Sequence, residues 1–258
     1  MDHSRLRITR RLALAGAAAL LGTRGAHAFG QDGAFQARLL KTAGSPALGA
    51  QREAALGRWA WELVRRTSAP GRLLFESVAA DSRQLLIQPF CVWAGAEAVE
   101  PLMATERRGL AQFFQLGGTL LVDDSRPESG VFGASARREL ERVMPEVPIT
   151  RVPERHVLYK SYYLVERPQG RILGLPYMEA MIRGRVVQVL FSSHDILGAM
   201  ARDKNDAWSF PIESEDQEAR QRVIRLAVNI AMYVLCSDYK DDQVHAGELM
   251  RRRGRSLP

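Results

Sequence analysis

The sequence lacks several patterns that identify common classes of protein. Only two cysteines occur among 258 residues, and neither belongs to a pair with metal-binding spacing. No G-x-S-x-G turn surrounds Ser192 or Ser193, and the glycine pair Gly117-Gly118 precedes a strand-like run, whereas a phosphate-binding turn follows one. The usual signatures of zinc modules, serine hydrolases and nucleotide-binding domains are therefore missing.

The two cysteines, Cys91 and Cys236, both lie in apolar stretches of sequence. Apolar surroundings favour buried, unreactive thiols, and we expect this for both residues. A disulfide bond between them requires that the fold bring them together, and the sequence leaves this open.

An apolar run long enough to span a membrane is also missing near the N-terminus. The run Leu12–Leu21 has ten residues, whereas a spanning helix needs about 20. It follows Arg10-Arg11 and precedes Ala26-His27-Ala28, a small-x-small cleavage site. This pattern resembles a twin-arginine export signal covering residues 1–28, and predicts a periplasmic mature chain without a transmembrane span. An ordinary secretory signal or an uncleaved anchor are the alternatives.

The body of the chain carries no excess of charge of one sign. The formal net charge is +7, but residues 1–28 contribute five arginines and one aspartate, and the last eight residues contribute four arginines. Residues 29–250 therefore have a net charge of −1. The basic pI is a property of the two ends, so it does not predict nucleic-acid binding. We expect residues 248–258 to be a solvated, disordered basic tail.

Short apolar runs alternate with stretches of helical periodicity from Phe35 onwards. Phe90–Ala94 and Thr119–Val122 are apolar at almost every position, which is typical of strands covered on both faces. The first helix is expected to begin at Ser45-Pro46, and the last to cover Val223–Leu235. The pattern predicts one α/β domain over residues 29–247, a three-layer sandwich with a mainly parallel sheet.

Two aspartates stand where the second of these apolar runs ends. Gly117-Gly118 closes the preceding helix, so Asp123 and Asp124 come at the carboxyl end of a buried strand. Ligands bind beyond this edge in parallel sheets. Neighbouring residues of a strand point to opposite faces, so the two carboxylates are not expected to act as a pair. We favour an Asx-turn cap for one of them.

A second polar cluster, Ser192-Ser193-His194-Asp195, follows the strand-like run Val186–Phe191. The three residue types occur in hydrolases, but a nucleophile, its base and the orienting acid normally converge from separate segments. His194 is therefore at most one participant. In the other interpretation, His194 and Asp195 only satisfy backbone groups at the end of the strand.

Neither a metal nor a cofactor is predicted. His156, His194 and His245 could in principle join Asp123 and Asp124 in a nitrogen and oxygen site, but no H-x-H or H-x-x-x-H spacing supports it. Three further basic residues are interpreted as a solvated hairpin face and not as an anion site: Arg171, Arg183 and Arg185.

Three stretches together resemble the bacterial domain-of-unknown-function family 4159: Gly117–Asp124, His156–Tyr163, and Asn229–Tyr233 with Tyr239–His245. The resemblance covers about Phe35 to His245. It implies a flavodoxin-like fold of the class I glutamine amidotransferase-like group. Members often occur beside von Willebrand A-type proteins and MoxR-type ATPases, which implies an envelope assembly or stress context and a protein partner there.

The amidotransferase chemistry is not expected in this chain. Those enzymes place a nucleophilic cysteine in a glycine-flanked turn, whereas Cys91 and Cys236 have no such flanks. An H-x-E sequence after the last strand is also missing.

Two hypotheses of function follow from the sequence. The first is an exported, non-catalytic domain that binds a protein partner or a small ligand at the carboxyl edge of its sheet. The second is a periplasmic hydrolase of carbohydrate or peptidoglycan-like material, with an aspartate base assisted by His194. The hydrolase requires a carboxylate within hydrogen-bond distance of His194. The candidate binding residues are Asp123, Asp124, Ser193, His194 and Asp195.

Overall fold

The computed structural model describes residues 33–254, except for residues 46, 215 and 217, with side chains as far as residue 237. The predicted signal peptide and residues 255–258 lie outside the described residues. The strands are β1 (Arg38–Lys41), β2 (Glu76–Ala79), β3 (Phe90–Gly95), β4 (Thr119–Asp124), β5 (Ile149–Arg151), β6 (Glu179–Arg183) and β7 (Val186–Ser192). The α-helices are α1 (Ala50–Arg66), α2 (Ala104–Gln115), α3 (Val131–Val143), α4 (Ile196–Met200) and α5 (Ala219–Gly254), with short 3-10 helices at Arg83–Ile87 and Val157–Lys160.

The strands form a seven-stranded sheet in the order β2-β1-β3-β4-β7-β6-β5. Strands β2, β1, β3, β4 and β7 are parallel. Strand β6 pairs antiparallel with β7, and β5 pairs antiparallel with β6. The order 2-1-3-4 is that of doubly wound, flavodoxin-like sheets. The predicted α/β class with a mainly parallel sheet is confirmed.

The central strands are buried on both faces because helices cover each side. On one face, Trp93 and Val122 pack with side chains of α2 and α3, and the Trp93 and Phe132 rings meet edge to face at 6.0 Å. On the other face, Trp59 of α1 packs against Phe90 and donates from its indole to the Ala227 carbonyl of α5 at 2.8 Å. Burying one such side chain stabilises the fold by about 1.5–3 kcal/mol, so these layers fix the sheet edge described below.

The first helix begins later than the sequence predicted. Helix α1 starts at Ala50, after Gly49 at φ 90°, a conformation that favours glycine. The Ser45 hydroxyl accepts the backbone N–H of Thr42 at 3.0 Å instead of capping the helix. Ser45 therefore belongs to the loop after β1, and Pro46 lies outside the described residues.

The last helix is longer than predicted. The sequence placed it at Val223–Leu235, whereas α5 continues from Ala219 to Gly254. Its apolar segment is buried in contact with α1, α4 and the 3-10 helix Val157–Lys160, as the apolar pattern of Val223–Leu235 indicated. Within the described part of the chain, no helix combines the length and apolarity that crossing a membrane requires.

The two cysteines are free and differ in exposure. Cys91 is buried in β3, as expected, and burial raises the pKa of its thiol to about 12. Cys236 is exposed on α5, so the expectation of a second buried thiol was wrong. The buried part of α5 therefore ends at Leu235, and the next residue, Cys236, is exposed to solvent.

Candidate functional site

Asp123 joins the end of β4 to the start of α4. Its carboxylate is fully buried and accepts the backbone N–H of Ile196 at 3.0 Å on Oδ1 and of Leu197 at 2.9 Å on Oδ2. Burial and the nearby Asp195 carboxylate raise the pKa of Asp123, while these N–H groups act in the opposite direction. Both oxygens are therefore engaged by the protein backbone.

Asp124 turns to the other face of the sheet and serves the loop after β4. Its Oδ1 accepts the backbone N–H of Arg126 at 2.9 Å, and its Oδ2 accepts that of Gly133 in α3 at 3.1 Å. A Cβ at position 133 would lie 2.9 Å from Oδ2, so glycine allows this close approach. The predicted Asx-turn is confirmed, and the two adjacent carboxylates serve separate elements.

Asp195 is the centre of an ion-pair cluster. Arg52, in the first turns of α1, donates from Nε to Oδ1 at 3.0 Å and from Nη2 to Oδ2 at 2.8 Å. Arg171 donates from Nε to Oδ2, and the backbone N–H of Gly198 donates to Oδ1 at 3.0 Å. The Asp195 side chain has no exposed surface, and both arginine side chains are only 16% exposed. Two guanidinium groups thus share one buried carboxylate.

The position of Arg171 corrects the prediction of a solvated hairpin face. Arg183, on the hairpin itself, is 44% exposed and pairs with Glu146, in agreement with that prediction. Arg171 instead reaches the carboxyl edge, where it also approaches the Ser125 carbonyl at 3.4 Å. The glycines at positions 170 and 174, on either side of Arg171, are the one sequence feature that pointed to its close packing. No sequence feature pointed to the role of Arg52.

His194 lies beneath residues 170–175, which we call the cover segment. The Ile172 N–H donates to the His194 carbonyl at 3.2 Å, and the Leu175 N–H donates to the Ser193 hydroxyl at 3.1 Å. A Cβ at Gly170 would lie 2.4 Å from the His194 Cβ, and one at Gly174 would lie 2.7 Å from His194 Nδ1. Glycine at both positions lets the cover segment lie directly on the histidine.

The His194 ring is buried beneath the cover segment. Only 2% of the residue is exposed, and neither ring nitrogen has a hydrogen-bond partner in the described part of the chain. Burial lowers the pKa of His194 to about 4, with the Ile172 backbone acting in the opposite direction. The histidine–carboxylate contact that the hydrolase hypothesis requires is not formed between these side chains.

The solvent-facing part of this edge is formed by the cover segment. Leu173 is 72% exposed and Leu175 is 40% exposed, and they flank the partly exposed Arg171 along the chain. We call Arg171, Leu173 and Leu175 the edge surface. Beside it, the Phe210 ring lies 4.2 Å from the Arg52 guanidinium and 5.9 Å from that of Arg171.

The five predicted site residues do lie together at one edge of the sheet. Strands β4 and β7 are direct neighbours, with Asp123 paired in register with Ser192. Ser193 is partly exposed, whereas the other four residues are buried beneath the surface: Asp123, Asp124, His194 and Asp195.

No metal site is formed by the described residues. Among them, no three His, Cys, Asp or Glu side chains are grouped so that they could hold an ion. The Nδ1 of His156 accepts the Leu158 N–H at 3.2 Å, which caps a 3-10 helix. The side chain of His245 lies outside the described residues.

The chain is thus an α/β sandwich with a mostly parallel sheet. The carboxylates at the carboxyl edge of this sheet bind backbone N–H groups and arginines of the same chain. The chain belongs to the family described as Domain of unknown function (DUF4159), whose model matches residues 37–235. The family resemblance found in the sequence is thereby confirmed. A search of curated proteins finds no match.

Proposed function

We propose that this chain is an exported, non-catalytic α/β domain that binds a protein partner or a small ligand at the carboxyl edge of its sheet. We place it in the periplasm, in a cell-envelope assembly or stress context. The observation that carries the proposal is the internal use of the three buried aspartates at this edge. Asp123 and Asp124 accept backbone N–H groups, and Asp195 binds two arginines.

A general base must be free to accept a proton from a substrate. Carboxylates that already accept hydrogen bonds on both oxygens serve instead as a rigid frame for the segments around them. That frame holds the cover segment in place, and the cover segment presents the edge surface to solvent. Two exposed leucines beside an arginine give this surface an apolar part and a charged part, which suits contact with a protein partner.

The alternative, a periplasmic hydrolase with an aspartate base and His194, requires a different arrangement of this edge. The cover segment would have to leave His194, and Asp123 or Asp195 would have to exchange its present donors for the imidazole. Nothing in the described geometry favours this exchange. Release of sugar or peptide fragments from purified peptidoglycan, abolished by His194→Gln, would support the hydrolase over a binding domain.

The test of the proposal is a comparison of two exposed leucines. The mature chain is immobilised, components are captured from an envelope extract of the source bacterium, and each identified component is purified and its Kd measured. Leu173→Glu places a charge within the edge surface. Leu116→Glu is the control, because Leu116 is 66% exposed and follows α2, at the opposite end of β4.

We expect Leu173→Glu to weaken binding of the captured component about tenfold or more, since it removes an apolar contact and places an unpaired charge in the interface. Leu116→Glu should bind as the wild type does. Equal affinities for the wild-type chain and Leu173→Glu would place the interface elsewhere and refute the assignment to this edge.

A further inference from the structure

A second polar site lies beside the cover segment, between the chain that leads into it and the N-terminal part of α5. It is a pocket of about 430 Å³, a volume within the range of small-molecule sites. Its polar lining consists of Glu166, Arg167, Gln169, Asp216, Arg222 and Arg225. The exposed Leu164 also lines the pocket.

The wall formed by residues 162–169 is attached to α5 at both ends. Asn229, which is fully buried, accepts the N–H groups of Tyr162 at 3.2 Å and Tyr163 at 2.7 Å, and donates to the Tyr163 carbonyl at 2.8 Å. At the other end, Arg222 donates from Nε to the Gln169 side chain at 2.7 Å. The pocket lies along this wall, and the two attachments hold the wall on α5.

The lining of the pocket carries more positively than negatively charged side chains. Arg222 pairs with Asp216, which leaves Glu166 as the second acid of the lining. Neither Arg167 nor Arg225 forms an ion pair with a described residue. The guanidinium of Arg225 lies 5.8 Å from the centroid of the Tyr163 ring, so an aromatic face adjoins it.

The excess of positive charge here is local. Residues 29–250 have a net charge of −1, yet three arginines and two acids converge on this pocket. A guanidinium presents a planar fork of donors that matches the oxygens of a carboxylate or a phosphate. Gln169 adds an uncharged amide to the same lining.

We propose that this pocket binds a small ligand through an oxyanion group, a carboxylate or a phosphate, held by Arg167 and Arg225. Arg222 and Asn229 position the pocket wall and are not expected to provide the ligand contact. The site is separate from the edge surface and does not depend on the function proposed for it. A small anion therefore binds here whether or not a protein partner occupies the edge.

The experiment is calorimetric titration of the mature chain, at low ionic strength, with inorganic phosphate in one series and succinate in another. The test variant is Arg167→Gln/Arg225→Gln, which removes both unpaired charges from exposed positions. The matched control is Arg108→Gln/Arg185→Gln, which removes two exposed arginines of α2 and of the β6–β7 turn. Thermal unfolding establishes that both variants are folded.

We expect saturable binding of one anion per chain in at least one series, and the series that binds identifies the charged group. The Arg167→Gln/Arg225→Gln variant should lose at least about tenfold in affinity, as hydrogen bonds to charged groups contribute about 1.5–3 kcal/mol. The control should bind as the wild type does. Absence of saturable binding in both series, or an equal loss of affinity in the control, would overturn the proposal.

Discussion

Arg52 and Asp195, 143 positions apart in the chain, form a two-point ion pair that joins the first helix to the loop after β7. Arg171 donates to the same carboxylate from the cover segment. Three segments that are distant in sequence thus meet at one buried acid. The carboxyl edge of the sheet is held together by this contact and by the backbone hydrogen bonds of Asp123.

Replacing Asp195 with Asn tests how much this cluster contributes to stability. Asn tolerates the left-handed backbone at φ 49°, so the substitution removes the charge without adding backbone strain. Two mostly buried guanidinium groups lose their partner, and we expect the free energy of unfolding to fall by about 3 kcal/mol. Urea denaturation at neutral pH measures the change.

The control for this prediction is Glu97→Gln, which removes the partner of Arg126 from a pair that is 54% and 64% exposed. An exposed pair contributes about 0–1 kcal/mol, so the control should change stability little. A similar small change in Asp195→Asn would show that the cluster does not hold the edge together.

His194 predicts a dependence of stability on pH. Its pKa is lowered to about 4 in the folded chain, against an ordinary value of 6.5. Between these values the unfolded chain binds a proton that the folded chain does not, so stability falls as the pH decreases from about 6.5 to about 4. The full loss attributable to His194 is about 3 kcal/mol.

The measurement is urea denaturation across this pH range for the wild type and for His194→Leu. Asp123 titrates in the opposite sense, because its raised pKa makes stability fall as the pH rises. The difference between the two proteins isolates His194, since Asp123 is present in both. Parallel stability curves for the wild type and the variant would contradict the buried, neutral histidine.

Whether a contact at this edge could be predicted from the sequence depends on how far apart its two residues lie along the chain. The strands β3 and β4 follow from continuous apolar runs, and the role of Asp124 follows from an Asx-turn with Arg126, two positions away. Both are local consequences of residue type. The position of this edge in the sequence could therefore be predicted together with the fold class.

The ion-pair cluster was not predictable in the same way. Arg171 and Asp195 are 24 positions apart, and their contact requires the cover segment to cross the end of β7. The sequence placed Arg171 with two solvated arginines, because charge pattern alone favours exposure. Only the flanking Gly170 and Gly174 reflect the close packing on His194, and glycines are equally typical of an ordinary loop.

The two thiols should differ in reactivity. Cys91 is buried and its pKa is raised to about 12, whereas Cys236 is exposed. We expect iodoacetamide to modify Cys236 in the folded chain and Cys91 only after unfolding, as mass spectrometry of the alkylated peptides would show. Cys91→Ala should reduce stability but leave partner or anion binding intact. Loss of binding in a folded Cys91→Ala protein would contradict this.

Export is predicted to depend on the paired arginines of the leader. Arg10→Lys/Arg11→Lys should leave the chain in the cytoplasm, because the twin-arginine route requires the pair. Arg5→Lys/Arg7→Lys is the matched control and should be exported. Cell fractionation and the N-terminal mass of the exported form, expected to begin after Ala28, provide the measurements. Export of both variants would instead indicate an ordinary secretory signal.

Asn229 is predicted to hold the pocket wall, and this role can be separated from anion contact. It begins one of the sequence stretches that carry the family resemblance, and its amide makes three hydrogen bonds to the backbone of Tyr162 and Tyr163. Asn229→Ala leaves these backbone groups without partners, and we expect the free energy of unfolding to fall by about 2 kcal/mol. Asn205→Ala, at an exposed position, should have no such effect.

The distinguishing measurement is amide hydrogen exchange over residues 162–169. In Asn229→Ala these amides should exchange faster than in the wild type, while those of β3 and β4 keep their protection, because the loss is confined to one attachment of the wall. Arg167→Gln/Arg225→Gln should weaken anion binding without changing exchange in this segment. Unchanged exchange in Asn229→Ala would contradict this role and would mean that other contacts, such as the Arg222–Gln169 hydrogen bond, hold the wall without Asn229.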